Sequence, residues 1–306
     1  MNAAPDWWLH LSFQYYAWRI ATALLGRLPL RVCYAIATAA GTVAFEFWPR
    51  GRRNTLRNSR RILRCAPASE VRCVAHASLV NYCKYLVDFI RFPAMDAAAL
   101  RTACHGDEQF AQLDAALARG RGVIFVPMHF GHWDMGAGAA AARGYRPAVV
   151  VESFADPRLD RMVFAARERL GVDVLRMERL GPSLIRRLKA NGVVALLIDR
   201  PQTGQGVVID FFGSPIEVPS GPARLALRTG ATVIPVAFPR IDPDRSDVAV
   251  LAEFLVPGPA SGDATAAVQQ LTQLIVSAHE RFIHRYPEQW YMFREMWPRK
   301  TQDRQV

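Results

Sequence analysis

Residues 122–136 have the sequence GVIFVPMHFGHWDMG, and this stretch indicates both the class of fold and the candidate site. It begins with a continuous apolar run, residues 122–127, which is typical of a strand buried on both faces of a parallel sheet. A short loop containing Gly131 follows, and small residues then begin a helix. Because ligands bind beyond the carboxyl ends of the strands in α/β sheets, we expect the functional site in this loop.

Further apolar runs follow the same pattern along the chain. They are AVVV (148–151), VVALLI (193–198), TVIPVAF (232–238) and VAVLAEFLV (248–256). Helical patterns lie between the runs, at 135–143, 157–170, 182–190 and 222–229, and a closing helix covers 264–286. Strands that alternate with helices predict an α/β fold with a central, mostly parallel sheet flanked by helices.

The first 48 residues differ from the rest, because they are apolar and rich in aromatic side chains. Their longest stretch without charge, residues 32–45, has 14 residues, whereas a spanning helix needs about 20. Tryptophan, tyrosine and arginine around it suit the headgroup layer. We therefore predict that residues 1–48 form membrane-attachment helices and that 49–306 form the α/β domain. A core helix hairpin and an uncleaved signal sequence are the alternatives.

The charge of the chain favours anionic partners. Lys and Arg number 38 against 27 Asp and Glu, which gives a net charge of +11. Seven arginines and no acid fall within 50–64, directly after the apolar segment: Arg50, Arg52, Arg53, Arg57, Arg60, Arg61 and Arg64. We interpret them as contacts to an anionic membrane surface, each adding roughly 1 kcal/mol; the alternative is a solvated helix face. No nucleic-acid-binding motif is present.

Composition excludes several classes of protein. Hydrophobic residues make up 51% of the chain, which excludes intrinsic disorder. The five cysteines have no CxxC spacing. Their odd number argues against a disulfide framework and against a zinc ribbon. The cysteines are therefore expected to be buried thiols in a reducing compartment.

His129 and Asp134 are the candidate catalytic residues. They lie five positions apart with Gly131 between them, so we expect the Asp134 carboxylate to reach one imidazole nitrogen. The other nitrogen would face a substrate hydroxyl, as in a triad whose nucleophile comes from the substrate. One alternative is a metal held by His129, His132 and Asp134, although the other histidines are isolated. A histidine buried for packing is the second alternative.

Several motifs in order make the chain resemble the lysophospholipid acyltransferase superfamily. The resemblance is closest to the branch of the late lipid A acyltransferases and the phosphatidylinositol mannoside acyltransferases. The matching segments are His129-x4-Asp134, RERLGVDVL (167–175), VVALLIDR (193–200), residues 209–236 and YPEQWYMFREMWP (286–298). The segment VVVESFADPRLD (149–160) looks more like the mannoside enzymes than the lipid A enzymes.

The resemblance implies transfer of a fatty acyl group from acyl-carrier protein or acyl-CoA to a hydroxyl of a lipid or glycolipid. His129 would be the general base, and Asp134 would hold its tautomer and stabilise the imidazolium. No covalent acyl-enzyme, metal or cofactor is expected. The expected location is the cytoplasmic face of a bacterial inner membrane.

Six more residues are candidates for substrate binding: Glu152, Arg167, Asp199, Arg200, Ser220 and Arg224. Arg167 matches the second motif and would bind a phosphate or the acceptor. The pair at 199–200 ends a strand and would orient the acceptor sugar or the thioester. Ser220 suits an N-cap, and the helix start with Arg224 is an anion site. In each case the alternative is an ordinary surface, ion-pair or capping role.

Large apolar residues near the site are candidates for an acyl groove. Trp133, Phe211 and Phe212 are of this kind, although such side chains more often belong to the core.

Two rival functions stay open. In a thioester or ester hydrolase, water would replace the acceptor, but the GxSxG elbow of serine hydrolases is absent. The other rival is a non-catalytic lipid- or carrier-binding protein that keeps the fold.

Overall fold

The computed structural model describes residues 7–151, 153–176, 181–200, 206–257 and 263–297. The helices in these ranges are α1 (Trp7–Leu25), α2 (Leu30–Phe47), α3 (Pro49–Ile62), α4 (Ala68–Arg91), α5 (Ala97–Ala103), α6 (Asp107–Leu117), α7 (Trp133–Ala142), α8 (Pro157–Arg169), α9 (Gly181–Lys189), α10 (Gly221–Thr229) and α11 (Ala264–Arg285). The strands are β1 (Cys104–His105), β2 (Val123–Val126), β3 (Ala148–Val151), β4 (Asp173–Arg176), β5 (Val193–Ala195), β6 (Gly206–Asp210), β7 (Pro215–Pro219), β8 (Thr232–Ala237), β9 (Val248–Ala249) and β10 (Leu251–Ala252).

The main sheet has six strands in the order β10-β8-β2-β5-β3-β4. All neighbouring pairs are parallel except β10 with β8. In the centre, Phe125 of β2 is paired with Ile234 on one side and with Ala195 on the other. The prediction of an α/β fold with a mostly parallel sheet is therefore confirmed.

The sheet is buried on both faces, which explains its unbroken apolar strands. Along β2, Ile124 and Val126 belong to one hydrophobic cluster, and Val123 belongs to the other. Helices α10 and α11 pack on the first side, and α5 and α7 contribute to the second. Each fully buried aliphatic side chain contributes about 1.5–3 kcal/mol.

The prediction of one long strand over 248–256 is wrong. Val248 and Ala249 pair with β1 in a separate two-stranded sheet, whereas Leu251 and Ala252 pair with β8 at the edge of the main sheet. Between them, the Val250 N–H donates to the carbonyl of His105. The chain therefore changes partners in the middle of an apolar run, which hydrophobicity alone does not reveal. The strand predicted at 193–198 is also shorter and ends at Ala195.

Helix α2 has two different faces. Its buried face has a four-residue spacing, at Cys33, Ala37, Gly41 and Phe45, and packs along α4. The opposite face carries exposed apolar side chains, and in α1 a similar row is exposed; together we call them the apolar face: Tyr16, Ile20, Leu24, Val32, Ile36, Val43 and Phe47. Of the helices in the described ranges, Leu30–Phe47 alone is long and apolar enough to cross a membrane, judged by length and composition.

A buried polar network joins α2 to the rest of the protein. The Tyr34 hydroxyl donates to Asp88 Oδ1 over 2.7 Å, and Arg240 Nη2 donates to Asp88 Oδ2 over 2.5 Å. Ser246 donates to the same carboxylate. Because these groups come from α2, α4 and the segment after β8, the N-terminal helices are tied to the α/β body. The division of the chain at residue 48 stays a prediction.

Candidate active site

His129 lies in the loop that follows β2, at the carboxyl edge of the sheet. The loop is held by the C-terminal segment: Tyr291 N donates to the carbonyl of His129 over 2.8 Å, and Gly131 N donates to that of Gln289 over 2.9 Å. Gly131 has φ of +61°, and a Cβ there would lie 2.2 Å from the carbonyl oxygen of Phe238. Only glycine fits this turn without displacing the backbone of its neighbour.

The imidazole of His129 is oriented by Asp199. Its Nδ1 lies 2.7 Å from Asp199 Oδ1, and its backbone N–H donates to Oδ2 over 2.8 Å. Trp290 Nε1 donates to the same Oδ2 over 3.3 Å. In the neutral ring this pairing puts the proton on Nδ1 and leaves Nε2 as an acceptor. No hydrogen bond to Nε2 comes from the described part of the chain.

Asp199 is fully buried, and its environment keeps it ionised. Burial raises the pKa of its carboxyl, but the electrostatic interaction with the His129 ring and three hydrogen bonds, two from His129 and one from Trp290, outweigh this, so the pKa lies below its ordinary value. A buried carboxylate in contact with one imidazole nitrogen stabilises the imidazolium that forms when the other nitrogen takes a proton.

The prediction that Asp134 reaches the imidazole is wrong. Its carboxylate accepts hydrogen bonds from the Tyr85 hydroxyl over 2.6 Å and from Arg167 Nε over 2.7 Å. The reason is that α7 begins at Trp133, so Asp134 lies in the first turn of a helix and points towards α4 and α8. His129 instead obtains its carboxylate from the segment after the neighbouring strand, β5.

Asp134 and Arg167 form a buried ion pair next to the candidate site. Burial opposes the charge on Asp134, but Arg167 outweighs it and lowers the pKa of the carboxyl. The neighbouring Trp133 stacks on Tyr85 with ring centres 4.1 Å apart and lies edge-on to His129 at 5.3 Å. The pair therefore fixes the first turn of α7 and, through it, the ring beside His129.

Replacing Arg167 with methionine is expected to lower the free energy of unfolding by about 3–5 kcal/mol, because a buried carboxylate loses its partner. The double variant Arg167→Met/Asp134→Leu should recover most of this loss, since no charge is left unpaired. Urea unfolding of the wild type and both variants measures the difference. Equal instability of the single and double variants would contradict the prediction.

The other sequence candidates lie in different surroundings. Glu152 lies outside the described residues. Arg200 directly follows Asp199, is partly buried and interacts electrostatically with Tyr82. Ser220 precedes α10 as predicted, but its side chain makes no capping bond; its Oγ accepts from Arg224 Nε over 2.9 Å. The backbone of Ser220, with ψ of 1°, is not extended as a capping residue requires.

The aromatic candidates divide into two groups. Trp133 is partly buried and contacts His129. Phe211 and Phe212 are buried, at 0% and 6% exposure, and Phe211 packs against Trp290 and Trp297. Phe211 therefore supports the tryptophan that donates to Asp199.

The metal interpretation does not fit the geometry. His129 Nδ1 is paired with Asp199, Asp134 is paired with Arg167, and the ring of His132 is stacked on Phe92. Among the residues that the structure describes, no group of three or more His, Cys, Asp or Glu side chains is arranged to hold a metal.

Two parts of the site, Tyr85 and Trp290, are missed by sequence reasoning. Trp290 lies in the segment 286–298, where the family resemblance is the only signal and points to no single side chain. Tyr85 lies in the middle of α4, and no local pattern marks it. Long-range packing brings both residues to the carboxylates.

Comparison with known proteins identifies the family. The model of the bacterial lipid A biosynthesis acyltransferase family matches residues 7–299. This chain belongs to that family. Phosphatidylinositol mannoside acyltransferase of Mycolicibacterium smegmatis is 34% identical over 251 residues, which cover 79% of this chain and 78% of the relative. That of Mycobacterium tuberculosis is 30% identical over 282 residues, 86% of this chain and 83% of the relative.

Membership of the family makes this chain an acyltransferase. It is of the lipid A and phosphatidylinositol mannoside type, and it acts between an acyl donor and a lipid or glycolipid acceptor.

Proposed function

We propose that this acyltransferase moves a fatty acyl group from a thioester, on acyl-carrier protein or CoA, to a hydroxyl of a membrane glycolipid, with His129 as the general base. The observation that carries the proposal is the imidazole held by Asp199 at Nδ1, with Nε2 left to accept a proton. The side chain of His129 is 18% exposed, so a substrate hydroxyl has access to it.

The chemistry follows from this arrangement. Nε2 takes the proton of the acceptor hydroxyl as the oxygen attacks the thioester carbonyl. The tetrahedral intermediate collapses with cleavage of the carbon–sulfur bond, and the imidazolium returns the proton to the leaving thiolate. Asp199 stabilises the imidazolium between the two proton transfers. The products are an ester and a free thiol, and no protein group is acylated.

We assign Asp134 a positioning role, together with Arg167, because its carboxylate contacts Tyr85 and Arg167. We keep Glu152, Arg200, Ser220 and Arg224 as candidates for substrate binding.

In this proposal a side chain stabilises the oxyanion that forms when the thioester carbonyl is attacked. The backbone N–H groups of the loop at 130–132 already donate to the carbonyls of Met128, Gln289 and Phe238. Arg200, which directly follows Asp199, is therefore the basic residue that we favour for this task.

The relatives support a sugar hydroxyl as the acceptor. Both named relatives are phosphatidylinositol mannoside acyltransferases. We propose a mannoside of this kind, or a closely related glycolipid, as the first acceptor to test, ahead of a lipid A precursor.

We propose attachment to the cytoplasmic face of a bacterial inner membrane through the apolar face of α1 and α2. Its side chains are 44–60% exposed in most cases, and Phe47 reaches 80%. The arginines of α3 begin directly after it, and Arg50, Arg53, Arg57 and Arg60 are exposed. An apolar surface beside exposed arginines suits the boundary between acyl chains and anionic headgroups.

Val43→Asp is expected to reduce the bound fraction of protein on anionic vesicles about tenfold, because a charge enters the apolar face. Val208→Asp is the matched control, since Val43 and Val208 are both 55% exposed. Sedimentation with phosphatidylglycerol vesicles at low and high salt measures the effect. An equal response of the two variants would contradict attachment through this face.

The activity itself is tested with purified protein, mannoside-containing lipid extract and radiolabelled palmitoyl thioester on CoA or on carrier protein. Label that enters a lipid is the expected result, and mass spectrometry then identifies the acceptor. Label released only as free fatty acid would favour a hydrolase. Binding of the donor without turnover would favour a non-catalytic member of the family.

A further inference from the structure

A cavity lies apart from His129, between the end of α3, the turn after β6 and α11. Its volume is about 550 Å³. Two arginines and a histidine face it together with two acids, namely Arg61, Arg64, His284, Asp210 and Glu280. None of these side chains takes part in the acyl-transfer mechanism proposed above.

The acids of this cavity are already engaged by backbone N–H groups. The Phe212 N–H donates to the Glu280 carboxylate, and the Gly213 N–H donates to Asp210 Oδ1 over 2.8 Å. Both carboxylates are thus used to hold the turn at 211–214.

The arginines, by contrast, have no acidic partner among the described residues. Arg52 and Arg57 of α3 are paired with Glu46 and Glu295, at 2.9 Å in each case. Within the described ranges no carboxylate lies at ion-pair distance from Arg61 or Arg64. Arg61 Nε is buried and has no hydrogen-bond partner among the residues that the structure describes. A buried unpaired donor of this kind costs free energy unless a ligand satisfies it.

The turn that shapes the cavity is strained. Phe212 has φ of +49° and Gly213 has φ of +66°, and a non-glycine residue in this region is uncommon. A Cβ on Gly213 would lie 2.4 Å from an Arg64 guanidinium nitrogen. The missing side chain therefore allows the Arg64 guanidinium to lie against the backbone at the wall of the cavity.

We propose that this cavity binds a phosphate group of an organic phosphate ester. Two guanidinium groups three residues apart offer paired N–H donors that match phosphate oxygens, and the imidazole of His284 adds a further N–H donor. The phosphate has two possible sources, the nucleotide end of a CoA thioester and the headgroup of a phospholipid. Binding of phosphate in this cavity does not depend on the acyl-transfer mechanism.

Aromatic contacts connect the cavity with the candidate active site. Phe212 packs on Phe211 with ring centres 4.7 Å apart, and Phe211 packs on Trp290 at 5.6 Å. Trp290 in turn donates to Asp199. A ligand in the cavity therefore lies within a few side chains of His129, as one end of a long substrate would.

The test is equilibrium dialysis of the full chain in detergent with radiolabelled pyrophosphate. Wild-type protein should bind it saturably, and Arg61→Gln/Arg64→Gln should weaken binding about tenfold for each arginine lost. Arg119→Gln is the matched control, because Arg119 is an exposed arginine that follows α6 and does not line the cavity. Its affinity should stay within about twofold of wild type.

Competition identifies the source of the phosphate. Unlabelled CoA, dephospho-CoA and glycerophosphoinositol are added to compete with the labelled pyrophosphate. Stronger competition by the CoA compounds identifies the acyl donor as the source, and stronger competition by glycerophosphoinositol identifies a lipid headgroup. If the double variant does not fold, the test uses the wild-type protein instead: pyrophosphate should protect Arg61 and Arg64 from modification by phenylglyoxal. Absence of saturable binding, absence of protection, or an equal loss in Arg119→Gln would overturn the proposal.

Discussion

Replacement of His129 with alanine is expected to lower kcat by about 10²–10⁴-fold, the contribution that a positioned general base makes. The loss should fall on kcat rather than on KM, because the imidazole is needed when the hydroxyl is deprotonated and not when the lipid binds. Transfer of radiolabelled acyl groups into lipid, measured under saturating donor and acceptor, gives the value. The melting temperature should fall as well, because the variant leaves the buried Asp199 carboxylate without its imidazole partner.

His105→Ala is the matched control for this variant, because His105 is exposed in the short strand β1, outside the site. It should keep full activity. If His129→Ala retained more than about a tenth of wild-type activity, general-base catalysis by this residue would be refuted. The loss of activity would then be smaller than the roughly 10²-fold minimum expected for a general base.

Asp199→Asn is expected to lower kcat by a similar factor of about 10²–10⁴, for a different reason. An amide in place of the carboxylate allows the ring to adopt the wrong tautomer and removes the charge that stabilises the imidazolium. The backbone N–H of His129 and the indole of Trp290 still find an oxygen acceptor. Substrate binding and KM should therefore change much less than kcat.

The variant Asp134→Asn distinguishes the role of the Asp134 carboxylate from that of the Asp199 carboxylate. Because Asp134 is paired with Arg167, this change leaves a buried guanidinium without its counter-ion, and we expect the loss to fall mainly on stability, by about 3–5 kcal/mol. Urea unfolding and kcat, both measured for the two variants, test the assignment. If Asp134→Asn kept its stability but lost kcat as Asp199→Asn does, the positioning role of Asp134 would be contradicted.

Much of the architecture can be predicted from the sequence. The run at 148–151 coincides with β3 residue for residue, and that at 122–127 contains β2. These strands are apolar on both faces because helices cover both sides of the sheet. A continuous apolar run therefore indicates a buried strand without any information from the rest of the chain. His129 can be placed at the carboxyl edge for the same reason. Local pattern and chain order are thus enough to locate the candidate site.

The partner of His129 cannot be found in this way. Asp134 is five residues away along the chain and Asp199 is seventy, yet Asp199 makes the contact. Proximity in sequence misleads in this case, because the helix that begins at Trp133 turns Asp134 away from the ring. Asp199 is a candidate from the sequence, but for substrate binding, since nothing local connects it with His129.

The class of fold, the order of strands and helices along the chain, and the loop that carries the catalytic candidate therefore follow from the amino-acid sequence. The pairing of side chains does not: Asp199 with His129, Asp134 with Arg167, and the change of partners at Val250 are visible only in the folded chain. The physical reason is that secondary structure follows from the periodicity of neighbouring residues. Side-chain pairing depends instead on which strands lie next to each other, and β5 lies beside β2 only in the folded sheet.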